Sequence, residues 1–390
     1  MRRLSLGVAV LVAAALLAPS AASAAWSAQS PINPSGYAAA QLIGASCTGS
    51  TFCVTAGRWD NGTPAALIES WTSASTWATQ TPATPPAGST GSGLNGIHCT
   101  ASTTCTAVGD YTDAGFIQWA LVERLSSGTW SLQTMPRPGA AVSTALSGVS
   151  CTSSTFCMAV GSYTDSNGIS YPLSASWNGS SWTLRTVPTV ASSTGTSLSS
   201  VSCTSSSACV AVGTYLDSRG VPTPTAVTWS GSAWALLTMV VPRSASATFM
   251  TGVSCTSGTA CMAVGFATTS GGVVFAVAER LSGTTWTDQT ASIAAAPAGA
   301  TGTSFNGVSC TTSSHCTAVG YYLDASSVQK TFAEAWSGGT SWAHQASPNP
   351  ASSDGAVFSG VSCTSSSACL AVGYNLDNPS GLQQTLAQRN

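Results

Sequence analysis

Charge is what this sequence has least of. Lys plus Arg number 11 and Asp plus Glu 13 in 390 residues, or 6% where about a quarter is usual for soluble domains. The one lysine, Lys330, leaves no basic stripe to neutralise a row of phosphates, which excludes nucleic-acid binding by counterion release. Histidine is almost as rare: His98, His315 and His344 show no ligand-pair spacing, so neither a metal site nor a bound cofactor is expected. Long apolar runs are missing beyond the N-terminus, and nothing there reaches the roughly 20 residues that span a bilayer. The sequence also lacks a serine nucleophile elbow, a P-loop and a dinucleotide fingerprint. Disorder is excluded in turn, because 44% of residues are hydrophobic and the formal charge is only −2.

What is present is turn chemistry and tryptophan: 38 Gly, 18 Pro and 13 Trp, with Ser and Thr in place of charge. The first residues form a separate unit. Arg2 and Arg3 precede an apolar run from Leu6 to Ala18, followed by the small-x-small triplet Ala22-Ser23-Ala24. This three-part pattern predicts a secretory signal peptide over residues 1–24, with a general export route favoured over the twin-arginine one, and a mature chain of residues 25–390. Removal of Arg2 and Arg3 leaves 9 basic against 13 acidic residues, a charge of about −4. The expected location is extracellular and oxidising, with no membrane contact after cleavage.

All 14 cysteines fall into seven pairs of one spacing: Cys47/Cys53, Cys99/Cys105, Cys151/Cys157, Cys203/Cys209, Cys255/Cys261, Cys310/Cys316 and Cys363/Cys369. Their first members lie 52, 52, 52, 52, 55 and 53 residues apart, a tandem repeat of period near 50. A typical unit, Leu146 to Pro188, divides into four β-like runs (LSGVSC, CMAVGSY, YPLSASW, WTLRTV) separated by turn residues. Four short strands per unit, with a Trp opening the last, point to propeller blades. The final repeat stops after its third strand, and the mature N-terminus Trp26-Ser27-Ala28-Gln29-Ser30-Pro31 resembles the missing fourth. The expected fold is therefore all-β: a single domain, a seven-bladed β-propeller with four strands per blade, closed by pairing of the N-terminal strand with the last blade. Each Cys pair brackets a hairpin loop, where opposed Cα atoms about 4.5 to 5.5 Å apart suit a local disulfide; the spacing lacks the C-x2-C knuckle of zinc sites.

The stretch from the second cysteine onward, CMAVGSYTDSNGISYPLSASWNGSSWTLRTVP, resembles a kelch-type repeat, and the disulfide makes it similar to propeller repeats of secreted bacterial proteins. It departs from kelch in carrying one glycine (Gly161, Gly213, Gly320) where two are usual. The resemblance implies architecture only, since kelch relatives include both binding scaffolds and an oxidase.

Two repeated acidic positions stand out. Glu69, Glu123, Glu279 and Glu334, with Gln388 last, share one third-strand position, which reads as a repeated structural hydrogen bond. Asp60, Asp113, Asp165, Asp217, Asp324 and Asp377 recur in the second-to-third loop, with Trp59, Tyr111, Tyr163, Tyr215 and Tyr322 just before them; repeat five has Thr268-Thr269 instead. These eleven residues are the candidate ligand-binding set, because aromatic plates beside carboxylates suit sugar recognition and loops on rigid scaffolds carry binding. The bland reading of each Asp is an Asx turn that satisfies its own loop. The function expected is a secreted, non-catalytic, monomeric propeller that recognises an extracellular glycan or protein. Alternatives are a glycoside hydrolase or lyase using isolated acids such as Asp110, Asp288 or Asp354, and a structural module without a small ligand.

Overall fold

The computed structural model describes residues 25–390 apart from 74, 75, 291, 292, 294, 295, 340 and 352. The expected signal peptide lies outside the described residues. The rest is an all-β array of four-stranded antiparallel sheets, the construction of a β-propeller. Repeat three shows the unit: innermost strand Ala141–Ser153, second strand Phe156–Asp165, third strand Ser170–Trp177 and outermost strand Trp182–Leu184. Repeats two to six form five separate sheets. Repeats one and seven belong to one eight-stranded sheet, joined by the parallel pair Ala39 and Gln383. The N-terminal strand Ser27–Gln29 pairs antiparallel with the C-terminal strand Gln383–Arg389, supplying the fourth strand of the last repeat.

Alternation along the strands explains the packing. Apolar residues on both faces of the central strands fill the seams between repeats, as where Val54, Ala56 and Ile68 of repeat one meet Leu94, Leu121 and Trp130 of repeat two. All seven outermost-strand tryptophans (Trp26, Trp77, Trp130, Trp182, Trp234, Trp286, Trp342) are buried. The second-strand glycine is required by crowding: a Cβ on Gly109 would sit 2.0 Å from the Gly93 carbonyl oxygen, and one on Gly161 2.1 Å from that of Ala145.

Each cysteine pair is a direct cross-strand pair closed as a disulfide: Cys47–Cys53, Cys99–Cys105, Cys151–Cys157, Cys203–Cys209, Cys255–Cys261, Cys310–Cys316 and Cys363–Cys369. The Cα atoms lie 3.9 to 4.0 Å apart, which corrects the expected spacing of about 4.5 to 5.5 Å; the covalent bond draws the strands together at that rung. The second-strand cysteines are also buried: Cys53, Cys105, Cys157, Cys209 and Cys369 are only 1 to 2% exposed, and Cys261 and Cys316 are buried with them. The cause is that the second strand is interior to its sheet, so its first cysteine faces a seam: Cys53, Cys105, Cys157, Cys209, Cys261, Cys316 and Cys369 each belong to a different apolar cluster. These cysteines are therefore core residues as well as cross-links, and none of the seven presents a surface to a ligand.

Neighbouring innermost strands do not form a ladder with one another, so side chains take up their edge groups. Ser46 Oγ accepts from the Cys99 N–H of the next repeat at 2.9 Å, Ser150 from Cys203, Ser202 from Cys255, Ser254 from Cys310 and Ser309 from Cys363. Ser362 does the same for Cys47, between the last repeat and the first. In the remaining seam, between repeats two and three, His98 stands where the serine would be, and burial pushes its imidazole down to a pKa of about 4. A register shift beside each small innermost residue leaves one residue per repeat unpaired, Asn95 and Ser147 among them, and these line a 350 Å³ cavity at the centre of the array.

Candidate functional site

The repeated glutamates face the seams and are 0 to 1% exposed. Each described partner is a connector backbone: Glu69 Oε2 accepts from Ile32 N–H at 3.2 Å, Glu123 Oε2 from Ala83 at 2.8 Å and Glu279 Oε2 from Val240 at 3.1 Å. In repeat seven the Gln388 amide donates instead to the Pro348 carbonyl. Burial raises the carboxyls, Glu69 to about 8, Glu123 to about 7 and Glu279 to about 8, so they are held largely as neutral acids that clip connectors to sheets. Repeats three and four carry Ala175 and Val227 at this position.

The loop aspartates spend their oxygens on their own loops. Asp113 Oδ1 accepts from the N–H groups of Gly115 and Ile117, Asp165 from Asn167 and Ile169, Asp217 from Arg219 and Val221, and Asp324 from Ser326 and Val328, all at 2.8 to 3.0 Å. Asp60 accepts from Gly62, and Asp377 from Ser380. In repeat five Thr269 Oγ1 takes the same role towards Val273. The preceding aromatics lie sideways against the seams. Trp59, Tyr111, Tyr163 and Tyr322 pack on core clusters, and Tyr215 is half-buried between Thr196 and Thr223, its cross-strand neighbours. Aromatic and acid are thus adjacent within a repeat but are not gathered across repeats into one site.

In repeat three the Ile169 N–H, with help from Tyr171, holds the Asp165 carboxyl down, and a cation joins the corresponding pair in repeat two. Trp119, on its third strand, stands directly across from Tyr111 and donates its indole N–H to Asp113 Oδ2 at 2.7 Å. That bond, ahead of the Ile117 N–H, holds the Asp113 carboxyl below the usual range. Arg137, from the connector to repeat three, lays its guanidinium 3.5 Å from the centre of the Trp119 ring and donates to Tyr111 Oη at 3.0 Å. Of these groups Tyr111 and Arg137 border a 530 Å³ pocket with Pro86, Met135 and Gln133, and Trp119 and Asp113 stand behind them. Neither Trp119 nor Arg137 belongs to the candidate set drawn from the repeats. A signal existed: Trp119 and Trp59 are the tryptophans outside the repeat pattern, and Arg137 is an arginine between two prolines.

The corresponding pocket of repeat three is 180 Å³ and is bordered by Tyr163 stacked on Tyr171, with Val187 and Thr189 from the connector. A third, of 340 Å³, lies at repeat seven among Asn33, Asn349, Asn375 and Asp377. The isolated acids do not converge. Asp110 joins Arg58 and Asn95 between repeats one and two, Asp354 accepts from Asn378 in repeat seven, and Asp288 lies across from the buried Glu279 in repeat five. Among the described residues no group of three or more His, Cys, Asp or Glu side chains is placed to hold a metal, and no helix is long and apolar enough to cross a membrane.

No protein-family model and no curated protein matches the sequence. Solved structures share its fold. A protein of unknown function from Dyadobacter fermentans aligns with TM-score 0.55 and 9% identity over 94% of this chain and 97% of its own. The BP39L lectin from Burkholderia pseudomallei aligns with TM-score 0.53 and 14% identity over 90% and 95%. The Hadza microbial sialidase Hz136 aligns with TM-score 0.50 and 12% identity over 90% of this chain; the match spans only 65% of the sialidase. At these identities the likeness is one of β-propeller architecture.

Proposed function

We propose that this chain is an exported, non-catalytic β-propeller of seven blades that binds an extracellular glycan on its loop face, chiefly in the pocket of repeat two. Seven cysteine repeats support the blade count. Closure is supported by the N-terminal strand on Gln383–Arg389 and by the Ser362 to Cys47 bond between the last repeat and the first. Seven disulfides fit an oxidising compartment, in line with the signal peptide expected over residues 1–24. The observation that carries the glycan reading is the preorganised Tyr111, Trp119 and Arg137 constellation beside an Asp-capped loop, the mixture of aromatic, cationic and hydrogen-bonding groups by which sugars are held. That a propeller lectin shares the fold agrees with it.

One feature favours a protein partner as a second reading. Phe116, on the second-to-third loop of the same repeat, is 81% exposed and holds φ at 61°, where the same turn has Gly168, Gly220 and Gly272 in other repeats. A strained, solvent-facing aromatic has the character of an interface anchor.

A glycan array followed by polysaccharide pull-down with the oxidised chain of residues 25–390 separates the readings. Retention on a defined sugar class, lost on Trp119→Ala, is expected; retention on no sugar overturns the glycan reading and leaves the protein one.

A further inference from the structure

The repeat-two pocket has a feature that a neutral sugar does not call for. Arg137 is flanked by Pro136 and Pro138, which restrict the backbone on either side, and its side chain is held by the Trp119 ring and the Tyr111 hydroxyl. The head group is therefore fixed before anything binds. Yet it has no ionic partner: among the described residues the ion pairs within 4 Å are Arg58 with Asp110 and Arg219 with Asp217. The nearby acid, Asp113, feels the Arg137 charge only as the least of the influences on its carboxyl, and its oxygens are already committed, Oδ2 to the Trp119 indole and Oδ1 to two backbone N–H groups.

The stacking also changes what the pocket can offer. A sugar ring cannot lie on the indole face that the guanidinium covers. What remains is an edge of the guanidinium: one N–H of Nη2 goes to Tyr111, and among the described residues its other N–H, with the adjoining Nε–H or Nη1–H, has no partner. An arginine edge of this kind matches two oxygens of one carboxylate or sulfate. Thr144 and Gln133 border the same space, where hydroxyl groups of a sugar would find polar neighbours, and Met135 and Pro86 supply apolar walls. Repeat three has similar walls with Thr189 standing where Arg137 does; its own bordering cation, Arg185, is turned to Ser176 Oγ and the Trp229 ring rather than stacked on the pocket's aromatic pair.

We infer that the repeat-two pocket takes an acidic saccharide, whose carboxylate or sulfate group docks on the free edge of Arg137. This rests on the glycan reading and narrows it to a substrate class. A rigid, stacked guanidinium loses little freedom on binding, so the selectivity comes from geometry as well as charge.

The test uses calorimetric titration of the oxidised chain with oligogalacturonate, its carboxyl-reduced counterpart, sulfated dextran, plain dextran and poly-glutamate. Binding of an acidic saccharide at least about tenfold tighter than of its neutral counterpart is expected, with the preference abolished by Arg137→Ala and reduced by Arg137→Lys, which keeps the charge but not the planar edge. Thr189→Ala in repeat three leaves it unchanged. Equal affinity for acidic and neutral forms, or an acidic preference untouched by Arg137→Ala, overturns the inference while leaving glycan binding intact. Arg137-dependent capture of poly-glutamate as tightly as of any saccharide instead overturns the glycan reading and keeps the anion seat. Thermal melts of both Arg137 variants, matched to the parent, exclude a folding defect, as expected for an exposed side chain.

Discussion

Repeats two and three share one backbone plan and differ at a few positions whose consequences are large. Both set a tyrosine (Tyr111, Tyr163) across from a third-strand aromatic (Trp119, Tyr171), and both cap the next loop with an aspartate. In repeat three the two tyrosines stack on each other at 5.3 Å and the pocket shrinks to 180 Å³. In repeat two the indole, which reaches its loop aspartate as Tyr171 does in repeat three, has its face covered by Arg137, and 530 Å³ stays open. The scaffold accepts these exchanges because each puts one aromatic in place of another at the same cross-strand position, or changes a residue of the connector. A repeat array can thus specialise one unit and leave its neighbour as plain structure.

Measurements made repeat by repeat would show how deep this contrast runs. The largest effect should be common to both repeats: Gly109→Ala and Gly161→Ala each force a Cβ to about 2 Å from a carbonyl oxygen of the adjoining strand, and each should cost at least about 3 kcal/mol in denaturant unfolding. A marked difference between the two would show that the backbones are not equivalent. Next, replacing Cys99/Cys105 or Cys151/Cys157 by alanine pairs should cost about 2.4 kcal/mol each by loop-closure entropy, similar in the two repeats. Burial of Cys105 and Cys157 in equivalent seams adds a similar cavity cost to both, so it does not disturb the comparison.

The third distinguishes them by pH. Glu123 has no counterpart in repeat three, where Ala175 stands. Its carboxyl is raised from an ordinary 4.5 to about 7 in the folded chain, so the native state binds the proton more tightly. The stability it confers is complete below about pH 4.5 and is lost as pH rises to about 7, at up to about 1.4 kcal/mol per pH unit. Glu69 and Glu279 extend the same trend to about pH 8, and His98, held neutral down to about 4, opposes it by one group between about pH 4 and 6.5. Unfolding measured from about pH 4.5 to 8 should show a falling slope that Glu123→Gln makes shallower; a slope unchanged by the substitution contradicts the burial-raised acid. The smallest effect in energy is the most informative: Tyr171→Trp with Thr189→Arg and Val190→Pro copies the repeat-two groups into repeat three and should raise the number of acidic-saccharide sites from one to two. Failure to gain a site would mean that more than these side chains sets repeat two apart.

Much of the architecture was legible because it repeats. Cysteine spacing set the period, the missing fourth strand of repeat seven pointed to the Trp26 segment, and the shared glutamate position anticipated a structural hydrogen bond, observed from Glu69, Glu123 and Glu279 to connector amides. The depth of the disulfides was not legible, because spacing along a chain places two cysteines opposite one another without saying which of them faces a neighbouring sheet. The pocket was less legible for a different reason. Periodicity draws attention to what recurs, and the recurring Asp and Tyr residues turn out to be occupied by their own loops and seams. Trp119 and Arg137 lie 18 residues apart on a third strand and a connector, and only the way that connector turns back over its own sheet brings them into contact. Strand pattern and turn chemistry carry no information about that path.

The pairing of Ser27–Gln29 with Gln383–Arg389 also imposes an order in time. A strand that emerges early in synthesis is completed by one that emerges late, across a separation of 362 residues between Ser27 and Arg389. The seven hairpins with their local disulfides need only a few neighbouring residues and can close as they emerge, whereas the Ser27–Gln29 strand must wait for its partner across those 362 residues. A chain cut short before Gln383 would keep most of its sheets but leave Trp26 and its strand without their edge, so integrity of the two ends is checked by the same few hydrogen bonds that finish the fold.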